Sequence, residues 1–297
     1  MNNIKRQNGV FFTFLAAILW SFGGICAKFI QLNPLTISVF RGVLAAFTIG
    51  CCTGKWIFRP NRLTLLSAFC IFGTSSLFMV ANKMTTAANA IALQYTSPVF
   101  IIIMTWLFIK EKPRIIDIVA VILILNGVLL FFIERLNYGA LLGNIISIIS
   151  GIFFAGVFFV NSLPGTNAKE AAYLGCLFHI IWLPMVFFDK NIAAIKLSTI
   201  GVIAFAGIFQ LGFAYMAFSK GIKATPPVAA SVICAIEPVL NPVWVFLIMA
   251  EQPGWLSICG AAIVIITATC YSIFVSKKRF KNPENLEGQD NGKVLSC

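Results

Sequence analysis

The chain has 297 residues, of which 59% are hydrophobic and only 11% are charged, and its mean hydropathy is +0.93. Soluble globular proteins carry roughly 25% charged residues, because water must wet their surfaces. This composition excludes a soluble domain and predicts an integral membrane protein. The formal net charge of +12 does not indicate nucleic-acid binding, because the basic residues form short clusters between apolar runs and no continuous basic face.

Ten apolar runs of about 20 residues follow one another, each long enough for a helix to cross a bilayer. Only helices and closed barrels satisfy every backbone hydrogen bond in hydrocarbon, and these runs are about twice as long as a barrel strand. The fold class is therefore predicted as an all-α integral membrane protein with about ten transmembrane helices. The predicted spans are Val10–Ile30, Leu35–Gly54, Thr64–Ala81, Ala87–Ile109, Ile115–Ile133, Ala140–Val160, Ala171–Phe188, Thr199–Phe218, Val228–Met249 and Trp255–Val275.

Basic residues divide unequally between alternate loops. If the N-terminus is cytoplasmic, most loop lysines and arginines fall on the cytoplasmic side, and the opposite side holds only Lys28, Lys83, Arg135, Lys190 and Lys196. Cytoplasmic loops of membrane proteins are enriched in Lys and Arg. We therefore predict a multi-pass protein of the cell (plasma) membrane with both termini in the cytoplasm.

The two halves of the chain resemble each other. At an offset of about 140 residues, matching residues form the pairs Lys83 and Lys223, Pro98 and Pro238, Glu111 and Glu251, and Pro113 and Pro253. Five spans per half is an odd number, so the second half must be inverted relative to the first, as in many secondary transporters. The predicted units are a five-helix repeat at 1–137, an inverted five-helix repeat at 138–275, and a basic, polar cytoplasmic tail at 276–297.

Several short motifs resemble the EamA-type branch of the drug/metabolite transporter superfamily. They are the run AIALQYTSPVF at 90–100, Lys110–Glu111–Lys112, Arg41 in the second span, and Glu237–Pro238–Val239 with Glu251. The resemblance covers about residues 10–275. It implies a carrier of ten helices in two inverted repeats, which moves small metabolites and often exports amino acids or related compounds. It does not identify the substrate.

Glu237 is the clearest candidate for a functional residue, because a charge at the centre of a bilayer costs about 2.5–3.5 kcal/mol on insertion scales. At helical spacing Glu237 shares a face with Asn241 and Trp244. Pro238 should free a backbone carbonyl where a cavity could use it. Two interpretations stay open: Glu237 contacts the substrate or a coupling proton, or it only holds the helix, by pairing with a cation such as Arg41 or by bonding freed backbone groups.

Polar and aromatic residues in other spans are further candidates for substrate binding or coupling, namely Gln94, Ser97, Trp20, Arg41, Gln210 and Tyr215. Hydrogen bonds between helices would explain Gln94 and Ser97 equally well, and packing would explain the aromatic residues. Arg41 either snorkels to the interface or faces the cavity as a partner for an anion. His179, the single histidine, is interpreted as a hydrogen-bonded packing residue.

Catalytic motifs are missing from the sequence, which contains no P-loop, no GxSxG, no CxxC and no second histidine. We predict no catalytic residue, no metal and no cofactor. The leading hypothesis is a secondary transporter, an exporter of small neutral or zwitterionic metabolites, whose partners are its small-molecule substrate and the lipid bilayer. The alternative is a membrane-embedded enzyme or lipid-modifying protein, and a channel is disfavoured. Proton coupling and homodimer formation are left open.

Overall fold

The computed structural model describes residues 2–56, 59–85, 87–133, 140–249 and 254–278, and all regular elements in these ranges are helical. The α-helices are α1 (Asn2–Trp20), α2 (Gly23–Phe29), α3 (Pro34–Thr53), α4 (Arg62–Met84), α5 (Ala87–Gln94), α6 (Ser97–Met104), α7 (Ile115–Phe132), α8 (Leu141–Ser162), α9 (Ala168–Leu177), α10 (Leu183–Phe187), α11 (Leu197–Phe205), α12 (Ala214–Gly221), α13 (Pro227–Cys234), α14 (Ile236–Met249) and α15 (Trp255–Lys278). Two π-helical segments, Thr105–Ile109 and Ala206–Phe213, and two 3₁₀ segments, Phe178–Trp182 and Ile192–Ala194, extend or link them.

Seven helical stretches of the described residues are long and apolar enough to cross a membrane. They are Asn8–Ala27, Pro34–Thr53, Arg62–Met84, Asn89–Ile109, Leu141–Ser162, Ala168–Phe187 and Leu197–Gly221, and shorter apolar helices cover Ile115–Leu130, Pro227–Leu240 and Ile258–Phe274. Large apolar side chains such as Ile115, Phe187 and Leu197 are almost fully exposed, as a lipid-facing surface requires. The predicted all-helical membrane class is confirmed, and the count of ten transmembrane helices stays a prediction.

Three of the predicted spans are interrupted near their middle. The interruptions fall between Trp20 and Gly23, between Gln94 and Ser97, and between Cys234 and Ile236. The first and fourth spans were predicted as continuous, so the breaks in them are corrections, whereas Pro238 was expected to break a backbone hydrogen bond in the ninth span. In the first span the Ser21 hydroxyl donates to the Ile18 carbonyl at 2.6 Å, and a serine beside glycines is a common cause of a helix bend.

Proline accounts for the other two interruptions. A proline has no N–H, so it cannot donate to the carbonyl four residues earlier in a helix. Pro98 leaves the carbonyl of Gln94 without its helical donor, and Pro238 does the same to the carbonyl of Cys234. The predicted loss of a backbone hydrogen bond at Pro238 therefore coincides with a break between α13 and α14.

The helices pack around one main buried core, which brings the interrupted helices inside the molecule. Helix α1 lies against α12, α13 and α14, and α8 lies against α4, α5 and α6. Gly151 of α8 makes this approach close, since a Cβ there would stand 2.8 Å from the Gln94 carbonyl oxygen. Small residues commonly allow helices to approach in this way within membranes.

A polar group at one end of the molecule ties α7 to α15. Asp117, near the start of α7, is buried and accepts hydrogen bonds from Arg114 Nε at 3.0 Å and from the Tyr271 hydroxyl of α15. Because a buried carboxylate without donors is costly, the bond from Tyr271 should stabilise the contact between the two helices, while the bond from Arg114 is local to the start of α7.

Replacing Tyr271 by phenylalanine should lower the thermal midpoint of the purified protein in detergent. The change leaves Asp117 Oδ1 without this donor, a loss of about 1–3 kcal/mol. The matched control is Ser272→Ala on the same helix, whose hydroxyl bonds only the Ala268 carbonyl in its own turn. That variant should change stability by about 0.5 kcal/mol or less, and equal losses in both variants would contradict the assigned role of Tyr271.

Candidate functional site

Two of the interrupted helices meet at one side chain, Tyr95. This residue lies between α5 and α6 and is only 1% exposed. Its hydroxyl oxygen is 2.7 Å from Oε2 of Glu237 and 2.9 Å from the carbonyl oxygen of Cys234. The Cys234 carbonyl is the group that Pro238 leaves without a helical donor. The tyrosine hydroxyl of one half of the chain therefore lies where it can replace a backbone hydrogen bond missing from the other half.

The hydrogen bonds among Tyr95, Glu237 and the Cys234 carbonyl depend on whether Glu237 is protonated or ionised. A tyrosine hydroxyl carries one proton, so it donates to one of its two neighbours at full strength. If Glu237 is ionised, the charge-assisted bond to the carboxylate takes that proton, and the Cys234 carbonyl receives none. If Glu237 is protonated, it can donate to the Tyr95 oxygen while Tyr95 donates to Cys234. The two protonation states therefore differ in the bonding of the α13–α14 break.

Glu237 itself lies in the first turn of α14 and keeps part of its side chain exposed. Among the described side chains, no lysine or arginine lies within salt-bridge distance of its carboxylate. The considered pairing with Arg41 is therefore not made, and the hydrogen bond to Tyr95 takes its place.

Aromatic residues connect the group formed by Tyr95, Glu237 and the Cys234 carbonyl to the end of α1. Trp20 packs edge-on against Phe154 and Tyr215, with ring centroids 6.0 and 5.3 Å apart. Phe154 also packs against Tyr95, with centroids 6.1 Å apart. The carbonyl oxygen of Trp20 accepts a hydrogen bond from Gln210 Nε2 at 3.3 Å. Two predicted candidates, Gln210 and Tyr215, thus both contact a third, Trp20.

Trp244 joins the same region from α14. Its indole N–H donates to the Ser21 hydroxyl oxygen at 2.8 Å, and its ring stacks on Phe22 with centroids 4.5 Å apart. Ser21 and Phe22 form the interruption between α1 and α2, so α14 is fixed to the break in the first span. The side chain of Asn241, predicted to share this face, lies outside the described residues.

Gln94 and Ser97 are the two candidates from the predicted fourth span. Gln94 Nε2 donates to the Ser150 hydroxyl oxygen at 2.9 Å, and that hydroxyl donates to the Thr74 carbonyl at 3.1 Å. Gln94 thus links helices, as one of the two interpretations proposed. Ser97 occupies the position equivalent to Glu237 in the first half, and its buried hydroxyl has no hydrogen-bond partner among the described residues.

Arg41 is 6% exposed and lies well inside α3, so it does not snorkel to the interface. Its Nη1 donates to Met79 Sδ at 3.3 Å, and its Nε has no partner. His179 makes the expected packing hydrogen bond, with Nδ1 3.1 Å from the Cys176 carbonyl oxygen.

Sequence reasoning missed three residues that hold the site together, Tyr95, Phe154 and Ser21. One signal could have indicated Tyr95. The carbonyl freed by Pro238 needs a donor from another helix, and Tyr95 is a hydroxyl-bearing residue in the equivalent stretch of the first half. Phe154 and Ser21 carry no comparable signal, because apolar and small residues fill all of these helices.

Sequence comparisons with known proteins identify the family of this chain. The sequence model of the EamA-like transporter family matches residues 7–133 and again residues 141–273. Human solute carrier family 35 member G1 is 23% identical over 289 residues, which cover 86% of this chain and 76% of that protein. An uncharacterised transporter of Clostridium kluyveri is 26% identical over 286 residues, covering 88% and 91%.

A third relative and a solved structure are also similar to this chain. The uncharacterised inner membrane transporter YicL of Salmonella typhimurium is 23% identical, covering 85% of this chain and 92% of that protein. A solved crystal structure, described only as that of a protein, superposes with a TM-score of 0.75 at 15% identity over 92% of this chain and 99% of that one. The superposition bears on the fold alone. The chain belongs to the EamA-like transporter family and is a multi-pass membrane protein of the drug/metabolite transporter type.

Proposed function

We propose that the protein is a secondary transporter that exports small organic metabolites, such as amino acids or related neutral or zwitterionic compounds, by alternating access at the plasma membrane. Family membership supports transport of small solutes. The observation that carries the proposal further is the junction of Tyr95 with Glu237 and the Cys234 carbonyl. Substrate and coupling-ion sites of secondary transporters typically lie where discontinuous helices of the two halves meet.

The halves are proposed to be inverted five-helix repeats that rock against each other. The family model matches the chain twice, and the gap between its two matches falls at the proposed boundary near residue 137. The breaks before Pro98 and Pro238 stand at equivalent positions of the two halves. Because Tyr95 and Glu237 belong to different halves, rocking would separate them. The junction would then be closed in one conformation and open in the other.

Glu237 is proposed to carry the coupling proton. Protonation allows both hydrogen bonds of Tyr95 to be complete, whereas ionisation leaves the Cys234 carbonyl without its donor. A change that alters bonding across the two halves must also alter their relative stability. Among the described residues, the Tyr95 hydroxyl bonds the Glu237 carboxyl, and no lysine or arginine lies within salt-bridge distance to hold the carboxylate ionised.

Glu237→Gln should reduce proton-driven transport at least about tenfold while the protein still folds, because glutamine keeps the shape but cannot release a proton. Efflux of radiolabelled amino acids and amines from reconstituted vesicles would be measured across a range of pH. The variant should lose the pH dependence and keep exchange of substrate across the membrane.

The matched control is Glu111→Gln, an exposed carboxylate outside the helices, which should behave as wild type. A Glu237→Gln protein whose turnover and pH profile per folded molecule equal those of wild type would refute the coupling role.

The inverted arrangement predicts that the loops after equivalent helices face opposite sides of the membrane. Single cysteines placed in 110–114 should react with an impermeant maleimide from the cytoplasmic side, and cysteines in 251–253 from the outside. All nine natural cysteines, including the exposed Cys51, Cys52 and Cys270, would first be replaced by serine. Labelling of both loops from one side would mean that the halves are parallel or that a span is miscounted.

A further inference from the structure

Arg41 is a buried cation without an anion. Its side chain has a thioether sulfur as its hydrogen-bond partner and a buried Nε with none, and no carboxylate of the described residues lies within salt-bridge distance. A guanidinium stays charged under all ordinary conditions and has five N–H donors, whereas a thioether is a weak acceptor. A buried charge left unpaired is strongly destabilising, so this position is expected to receive an anion during the working cycle.

An unused acceptor flanks Arg41 on one side. His179 packs against Gly42, the residue after Arg41, where a Cβ would stand 2.8 Å from the His179 side chain. To bond the Cys176 carbonyl, His179 Nδ1 must carry the proton, which leaves Nε2 as a bare acceptor in the neutral ring. That nitrogen is buried and has no hydrogen-bond partner.

A second unused acceptor lies on the other flank. The π-helical segment Ala206–Phe213 runs along α3, and a Cβ at Gly207 would stand 3.1 Å from the Arg41 carbonyl oxygen. One turn further, Gln210 is buried, and its Oε1 has no partner although its Nε2 bonds Trp20. Buried polar atoms of proteins are nearly always satisfied by protein, water or ligand. Helix α3 thus carries a donor without an acceptor, and two segments packed against α3 carry acceptors without donors.

We infer that Arg41 is the carboxylate-binding subsite of the transport pathway. The planar fork of arginine matches the two oxygens of a carboxylate, and the acceptors of His179 and Gln210 suit N–H or O–H groups of the same ligand. A single cation suits a monoanion better than a polyanion such as a diphosphate. Gln210 bonds the Trp20 carbonyl, and Trp20 packs on Phe154, which packs on Tyr95, so this region is connected to the junction. The inference rests on the proposed function, since it names the substrate group that this transporter would hold.

The test measures how ligands raise the thermal midpoint of the purified protein in detergent. The probes are small monocarboxylates of increasing size, from acetate to phenylacetate, each paired with its uncharged amide, and sodium chloride at equal ionic strength. Wild-type protein should be stabilised by members of the carboxylate series and not by their amides or by chloride. Stabilisation by chloride as strong as by any carboxylate, or no difference between every acid and its amide, would overturn the inference.

Variants of Arg41 separate binding from structure. Arg41→Met should keep the wild-type thermal midpoint without ligand, because an apolar chain of similar length replaces an unpaired charge. It should weaken the carboxylate response about ten- to a hundredfold. Arg41→Lys keeps the charge without the fork and should give an intermediate response, and the exposed Arg62→Gln is the control with a wild-type response.

A carboxylate response that survives in Arg41→Met would overturn the inference, as would a large drop in the midpoint of this variant without ligand, since that would make Arg41 a structural residue. Failure of the subsite can be distinguished from failure of the proposed transport function. If carboxylates do not bind but transport of neutral solutes still depends on Glu237, only the subsite is wrong.

Discussion

A proline within a membrane helix leaves one carbonyl without a donor, and hydrocarbon offers no water to replace it. In this protein the carbonyl is that of Cys234, and the donor within reach is the hydroxyl of Tyr95. The same hydroxyl contacts Glu237. One missing backbone hydrogen bond therefore explains why the two proline-broken helices meet and why a carboxyl group is tolerated at this depth. The aromatic residues around Trp20 then connect the junction to the break in the first span.

Nine buried side-chain nitrogen and oxygen atoms of the described residues have no hydrogen-bond partner, which is about the few per hundred residues usual in proteins. Helix-linking groups such as Gln94 and Asp117 have their partners. Arg41, Ser97, His179 and Gln210 each keep a buried polar atom without one. Of these residues, Arg41, His179 and Gln210 are the ones that we propose to bind the substrate.

Much of the fold could be predicted from the sequence because its causes are local. The length of the apolar runs determines that the chain is helical and spans a membrane, and Pro238 indicates a break by its chemistry alone. The partner of that break could not be predicted, because Tyr95 and Cys234 are 139 residues apart and their contact depends on how helices pack. For the same reason Gln94 was left between two interpretations. The interruption at Ser21 could not be predicted, because no proline lies there. A serine beside glycines is also compatible with a straight helix.

The Tyr95 hydroxyl and the Glu237 carboxyl should act together across the two halves. A double-mutant cycle of Tyr95→Phe and Glu237→Leu, measured by unfolding of the purified protein in detergent, tests this most directly, because neither replacement side chain can form the hydrogen bond. We predict a coupling free energy of about 0.5–3 kcal/mol, the range from a neutral hydrogen bond to one with an ionised carboxylate. The distant pair Tyr271→Phe and Glu237→Leu should be additive. Additive effects for Tyr95 and Glu237 as well would contradict the proposal that this hydrogen bond holds the halves together.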